Sequence, residues 1–304
     1  MEQQLKRINI MESPQPSAEE KQQLSASLLE EPKVKALIKD GYISAKTVMK
    51  SPYRLQAWLH ALSPCIRCAG LNMCGQKTKG YFMNLIDDGM IREELTPCKY
   101  MKTKLKDEAH CANFTYSDIS PKYRSIGFSS ITARDGGDAY LNTVMKLQDL
   151  FEEGKGAYIY GPMGTGKTYL AACAANDAAR QGKKCAFLHW PSFTAKMQSL
   201  VKTGEWEETV RKMTYVGFLV IDDIGAESIS EWNRDQILQP ILVYRYEHDL
   251  PVWFTSNYDP DTLTVHFTYT KNKNDETGAQ RVMERIRHMA EAVPLSGNDR
   301  RNTL

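Results

Sequence analysis

Ala157-Tyr-Ile-Tyr160, Gly161-Pro-Met-Gly-Thr-Gly-Lys-Thr168 and Tyr169-Leu-Ala-Ala-Cys-Ala-Ala-Asn-Asp-Ala-Ala179 stand in direct succession. An apolar strand, a glycine-rich turn ending in Gly-Lys-Thr and a helix-forming run, in that order, make a phosphate-binding loop. Glycine permits the backbone angles that turn successive N–H groups onto a phosphate, and the helix starting near Lys167 adds the positive end of its dipole. The residues expected to hold ATP are Gly161, Pro162, Met163, Gly164, Thr165, Gly166, Lys167, Thr168 and Tyr169. Lys167 is expected on the β- and γ-phosphates and Thr168 on Mg²⁺.

Outward from this loop, strand-like segments (157–160, 185–190, 216–221 and 252–256) alternate with helix-like ones (167–181, 192–202 and 230–247). That alternation predicts an α/β fold, a three-layer sandwich around a mainly parallel sheet. Phe218-Leu-Val-Ile-Asp-Asp223 reads as a buried central strand presenting two carboxylates at its carboxyl end. Asp222 is expected to hold Mg²⁺ and Asp223 to orient or deprotonate the attacking water. Val252-Trp-Phe-Thr-Ser256 ends at Asn257, a neutral donor near the γ-phosphate if the strands are neighbours, and otherwise a turn residue. Arg281 and Arg285 share a helical face beside an apolar one of Val282, Ile286, Met289 and Val293. Such arginines are either surface solubilisers or contacts to a neighbouring subunit's γ-phosphate.

The chain has 304 residues, 42% of them hydrophobic and 25% charged, with net charge +2. These are values of an ordinary globular protein with room for two domains, not of a polyelectrolyte coating DNA or lipid, so any nucleic-acid contact is local. Met1-Glu-Gln-Gln-Leu-Lys-Arg7 lacks the apolar core of a secretory signal, and no apolar run approaches a membrane span. A cytoplasmic protein with no membrane partner is expected.

Five of the seven cysteines fall between residues 65 and 111, whereas the nucleotide motifs follow residue 155. Two domains are therefore expected, 1–107 and 108–304. The first opens with helices: Ser17-Ala-Glu-Glu20 has the form of a capping box, Pro32 suits a first turn, Gly41 suits a helix end, and a further helix covers 52–62. Lysines 99, 102, 104 and 106 open a polar connector that reads as a solvated face. Cys65-Ile-Arg-Cys68, Cys74 and Cys98 have the make-up of a closed tetrahedral zinc site, the alternative being buried, unligated thiols.

With these motifs in hand, the chain resembles the bacterial replicative-helicase loaders of the DnaI/DnaC type, within the AAA+ ATPases. Gly161–Thr168, Ile221-Asp-Asp-Ile-Gly-Ala-Glu-Ser228, Trp253-Phe-Thr-Ser-Asn257, His266-Phe-Thr-Tyr269 and Arg281-Val-Met-Glu-Arg-Ile286 carry the resemblance. It favours the DnaI side, whose loaders have an amino-terminal zinc domain. It implies an AAA+ phosphate-loop domain preceded by a small helical zinc-binding domain that docks on the hexameric helicase. Asn257 is then sensor 1, Arg285 the arginine finger and Arg281 a second γ-phosphate or interface contact. Asp299-Arg-Arg301 offers a further arginine. The family places a histidine just after a Gly-Tyr here; in this chain Gly80-Tyr81 is followed by Phe82, which leaves Cys74 as the replacement, with Cys111 or His110 as other candidates.

The implied function is an ATP-dependent loader that delivers the helicase onto single-stranded DNA during primosome assembly, self-associating on ATP and helicase binding. Hydrolysis is expected to be slow, because Asp223 is one methylene shorter than the Glu many AAA+ enzymes use. Trp232 either stacks on a DNA base, with Ser230 and Arg234 on phosphate, or belongs to the core; Phe193 is a second stacking candidate. Tyr123 and Phe128 are neighbours to consider for the adenine base. Three other readings stay open: a transposition-helper ATPase of the same subgroup, a zinc-dependent DNA-binding regulator that senses ATP, and a small-molecule kinase.

Overall fold

Ser17 caps the first helix reciprocally: its Oγ accepts from the Glu20 amide at 3.2 Å while Glu20 accepts from the Ser17 amide at 2.8 Å. The computed structural model describes residues 17–87, 91–132, 137–228, 230–269, 274–297 and 299–300. The chain divides into two units, Met1–Lys106 and Asp107–Leu304. The first holds α1 (Ala18–Glu30), α2 (Pro32–Lys39), α3 (Ala45–Lys50), α4 (Pro52–Ala61), β1 (Tyr81–Asp87), β2 (Ile91–Pro97) and α5 (Lys99–Asp107). Pro32 and Pro52 each open a helix, where a missing N–H leaves no helical bond unmade. Leu28, Val34, Ile43, Val48, Leu55, Trp58 and Leu85 form the core, and Trp58 Nε1 donates to the Met83 carbonyl at 2.7 Å.

Two features here depart from the sequence reading. β1 and β2 pair as an antiparallel hairpin, Tyr81 opposite Pro97, where no strand was expected. The lysines at 99, 102, 104 and 106, read from the sequence as opening a polar connector, lie on helix α5; none of its side chains is buried, in keeping with the solvated face expected of them, and no apolar stripe announces the helix.

The second unit contains β3 (Phe114–Ser117), α6 (Asp138–Glu152), β4 (Gly156–Tyr160), α7 (Lys167–Arg180), β5 (Cys185–His189), α8 (Trp190–Ser199), α9 (Glu205–Tyr215) and β6 (Phe218–Asp222). After a π-helical turn at Trp232–Leu238 come α10 (Gln239–Glu247), β7 (Val252–Ser256), α11 (Pro260–Thr268), α12 (Glu276–Met289) and β8 (Ala290–Pro294). Six strands form one sheet in the order β3-β5-β6-β7-β4-β8, each neighbouring pair parallel.

Strand alternation divides the core in two. Leu219 and Ile221 of β6 point to one side, with Trp190, Met213, Leu238, Ile241 and Ile286. Phe218 and Val220 point to the other, with Leu147, Leu170, Ala174 and Trp253. Helices thus cover both faces of the sheet, the three layers that its continuous apolar strands require. The helix bearing Arg281 stops at Met289, and Val293 sits instead on β8 opposite Ile159. No helix among the described residues is long and apolar enough to cross a membrane.

Candidate nucleotide-binding site

The loop between β4 and α7 contains three glycines with positive φ, Gly161 at 147°, Gly164 at 81° and Gly166 at 103°. A side chain at Gly161 would also collide with the Leu295 carbonyl, so the tight turn needs glycine for both reasons. Buried Thr165 donates its hydroxyl to the Pro162 carbonyl at 3.0 Å, which closes the loop on itself. Lys167 is buried and its Nζ donates to the carbonyls of Gly161 and Pro162 and to Asn257 Oδ1, each at 2.8 Å.

β6 and β7 are neighbours, and their carboxyl ends carry the polar groups. Asp222 Oδ1 accepts from Thr168 Oγ1 at 2.9 Å and from Thr255 Oγ1 at 2.7 Å. Burial pushes its carboxyl up from the ordinary range, opposed by those two hydroxyls. The Thr168 hydroxyl and this carboxylate together form a hard oxygen donor pair, which suits Mg²⁺. Asp223 adopts φ 60°, rare for a residue other than glycine but tolerated by Asp. Its amide donates to Thr255 Oγ1 at 2.8 Å, and its Oδ1 accepts from Asn257 Nδ2 at 3.3 Å. Asn257 therefore bridges Lys167 to Asp223, a contact between strands that the sequence reading made conditional on their adjacency.

These groups line one cavity of about 430 Å³, together with Met163, Tyr169, Tyr123, His189, Thr255, Lys122 and Arg300. Tyr123 and Tyr169 meet edge to face with ring centroids 5.6 Å apart. The segment carrying Tyr123 is fixed to α7: Asn176, fully buried, donates to the Tyr123 and Ile126 carbonyls at 2.7 and 2.9 Å and contacts His110 Nε2 at 3.2 Å. Phe128 is not a neighbour of this cavity; it is buried against Phe151 and Trp253.

Thr255 escaped the sequence reading, and His189, with no metal-ligand spacing and no nucleophile partner in the sequence, reads there only as a partly buried or surface histidine, whereas both line this cavity. Each ends or nearly ends a strand pointing at the phosphate loop, and that position is the signal that could have found them. Arg300 belongs to the carboxyl-terminal triplet noted above; its amide bonds the Gly164 carbonyl at 2.9 Å and its guanidinium lies 3.6 Å from the Tyr140 ring centre. Arg301 lies outside the described residues.

Arg281 is exposed and Arg285 half-buried on α12. Arg285 Nη1 donates to the Arg281 carbonyl at 3.0 Å. Neither lines the cavity of its own chain.

Two of the four expected DNA contacts turn inward. Phe193 is fully buried, stacked on Trp190 and edge-on to Tyr116. Arg234 is 2% exposed and ion-paired with Asp235, at 2.7 Å, and with Asp275, so it has no face for a phosphate. Ser230 accepts from the Asn233 amide at 3.1 Å and so caps the turn that follows. Trp232 is half-buried, packed on the core and edge-on to Trp206 at 5.2 Å.

Cys65, Cys68, Cys74 and Cys98 all line one cavity of about 400 Å³ in the first unit. The expected closed zinc site is not formed there: among the described residues no group of three His, Cys, Asp or Glu is arranged to hold a metal ion. The thiols engage the protein instead. Gln76 Nε2 donates to Cys65 Sγ at 3.2 Å, Cys68 Sγ to the Gly70 carbonyl at 3.6 Å, and the Gly80 amide to Cys74 Sγ at 3.3 Å. The Gly80 and Gln76 amides hold the Cys74 thiol below its ordinary range. Cys111 and His110, the other candidate ligands, belong to the second unit, where His110 is bonded to Asn176. Cys173 and Cys185 are buried, as their apolar surroundings predict.

Known proteins match this arrangement. The family described as IstB-like ATP binding protein matches residues 125–303. The chain is 28% identical over 299 residues to the replicative helicase loader DnaI of Bacillus subtilis (strain 168), covering 92% of this chain and 93% of that protein. A crystal structure described as that of a putative primosome component from Streptococcus pyogenes serotype M3 aligns with a TM-score of 0.52 at 31% identity, covering 64% of this chain and 100% of that one. A crystal structure of DnaI gives a TM-score of 0.53 at 30% identity, covering 63% and 99% respectively. With its phosphate loop, paired carboxylates and parallel sheet, the chain belongs to the family of IstB-like ATP binding proteins, and DnaI-type loaders are among its relatives.

Proposed function

We propose that this chain is an ATP-dependent loader that binds a hexameric replicative helicase and delivers it onto single-stranded DNA. The observation carrying this reading is the reach of the similarity to the B. subtilis loader, which runs through both units over 93% of that protein's length. The family description alone would suit a transposition helper equally well, but it matches only residues 125–303. The first unit is the proposed helicase-docking domain and the second the AAA+ ATPase domain.

In the proposed chemistry Lys167 binds the β- and γ-phosphates, while Thr168 and Asp222 hold Mg²⁺, which supplies charge neutralisation on the phosphates when bound. Asp223 orients or deprotonates the attacking water, and Asn257 fixes both Lys167 and Asp223 relative to it. The second acid, Asp223, is one methylene shorter than Glu, which supports slow hydrolysis suited to a switch that acts through differential affinity for two assembly states. Arg285, with Arg281 beside it, is proposed to reach a neighbouring subunit's γ-phosphate, since neither arginine lines its own chain's cavity. Trp232 is the proposed base-stacking residue.

The test is complex formation between the full chain and the replicative helicase of the same cell, measured by sedimentation with ATP and Mg²⁺. A stable complex lost on removal of residues 1–107 supports the loader. No complex with the intact chain, alongside retained ATP binding, moves the reading to the transposition helper.

A further inference from the structure

We propose that His189 is the residue by which this site distinguishes ATP from ADP, its ring Nε2 donating a hydrogen bond to the γ-phosphate. The inference rests on the nucleotide reading above and extends it to a residue that no motif contains. His189 is the last residue of β5, and the parallel register sets it directly beside Asp222 on β6. It lines the same cavity as Lys167, Thr168, Asp223 and Asn257, at the carboxyl end of the strands, where a ligand of an open parallel sheet sits.

The ring is held, not loose. Nδ1 lies 2.8 Å from Ser192 Oγ, and the His189 amide donates to Asp118 Oδ2 at 3.0 Å, fixing the backbone at the strand end. Trp190 and Phe193, on either side of Ser192 in α8, are both buried, so the helix that carries the serine is anchored in the core. When the Ser192 hydroxyl donates to Nδ1, the proton of the neutral ring resides on Nε2. Nε2 has no hydrogen-bond partner among the described residues, and its ring borders the cavity. Asp222 and Asp223 already place carboxyl groups at this end of the site, so an N–H donor with a fixed direction adds selectivity for a third phosphate. A contact of this kind acts only on the γ-phosphate and leaves ADP untouched.

The test compares the full-length wild type with His189→Ala, His189→Gln and Ser192→Ala, measuring equilibrium binding of ADP and of a non-hydrolysable ATP analogue, plus turnover of ATP. For His189→Ala we expect the analogue to bind about tenfold or more weakly, as loss of a hydrogen bond to a charged group implies, with ADP affinity within about twofold. Gln, whose side-chain amide can replace the Nε2 donor, should restore discrimination to within about threefold of wild type, and Ser192→Ala should fall between the two. An unchanged analogue-to-ADP ratio in His189→Ala overturns the proposal, as does an equal loss for both nucleotides or a Gln variant no better than Ala. If the wild type binds neither nucleotide, the nucleotide reading itself fails, an outcome distinct from any of these.

Discussion

Asn257 joins the phosphate-loop lysine to the second carboxylate: its Oδ1 lies 2.8 Å from Lys167 Nζ and its Nδ2 lies 3.3 Å from Asp223 Oδ1. One side chain at the end of β7 thereby sets two groups that must act together on a γ-phosphate. Replacing it should damage the chemical step more than binding. Asn257→Ala is expected to bind ATP within about threefold of wild type and to hydrolyse it about 10²-fold more slowly, the scale of losing one pre-placed polar group. Equal losses in affinity and turnover would point to a collapsed loop.

Asn176 is a structural counterpart, fully buried on α7 and bonded to His110 and to the carbonyls of Tyr123 and Ile126. Asn176→Ala leaves both carbonyls without their donor, at about 2–4 kcal/mol. Because Tyr123 borders the nucleotide cavity, ATP affinity should fall with stability. Denaturant unfolding and nucleotide titration on the same variant check both; a change below about 0.5 kcal/mol contradicts this role.

Glu227 follows the Asp222-Asp223 pair and is buried, its carboxylate accepting from the Gly225 amide at 2.7 Å. Burial pushes that carboxyl up from its ordinary range. Between the ordinary and the raised value the folded chain then binds more protons than the unfolded chain, so this group's contribution is full below the ordinary value and is lost as pH rises through the raised one. Glu227→Gln keeps the acceptor and removes the charge. It should raise the unfolding temperature at pH 8 by roughly 2–4 °C, the response to about 1 kcal/mol in a domain of this size, and change little at pH 4. A stabilisation equal at both pH values would show that charge burial is not its source.

Much of the nucleotide site could be read directly, because a phosphate loop imposes glycines and a lysine at fixed spacing and a central parallel strand is apolar on both faces, as β4 and β6 are. The edge elements were harder. β3, β8 and the β1–β2 hairpin have partly exposed faces without a long apolar run, and α6 and α9 precede strands that drew the reading first.

Arg234 and Phe193 illustrate a different limit. Residues 230–247 read as one regular helix, but the π turn at Trp232–Leu238 changes the phase. It carries Asn233, Arg234, Ile237 and Leu238 inward and leaves Gln236 exposed. Phe193 sits where residue type alone cannot separate a stacking platform from a core aromatic.

Transfer of the replicative helicase onto circular single-stranded DNA, which has no end to thread, tests the loader most directly, with wild type and Lys167→Ala compared in the presence of ATP and Mg²⁺. The account expects wild type to raise the amount of helicase on the circle well above that reached by helicase alone, and Lys167→Ala to abolish the gain. Equal helicase on the circle with and without this protein would contradict it.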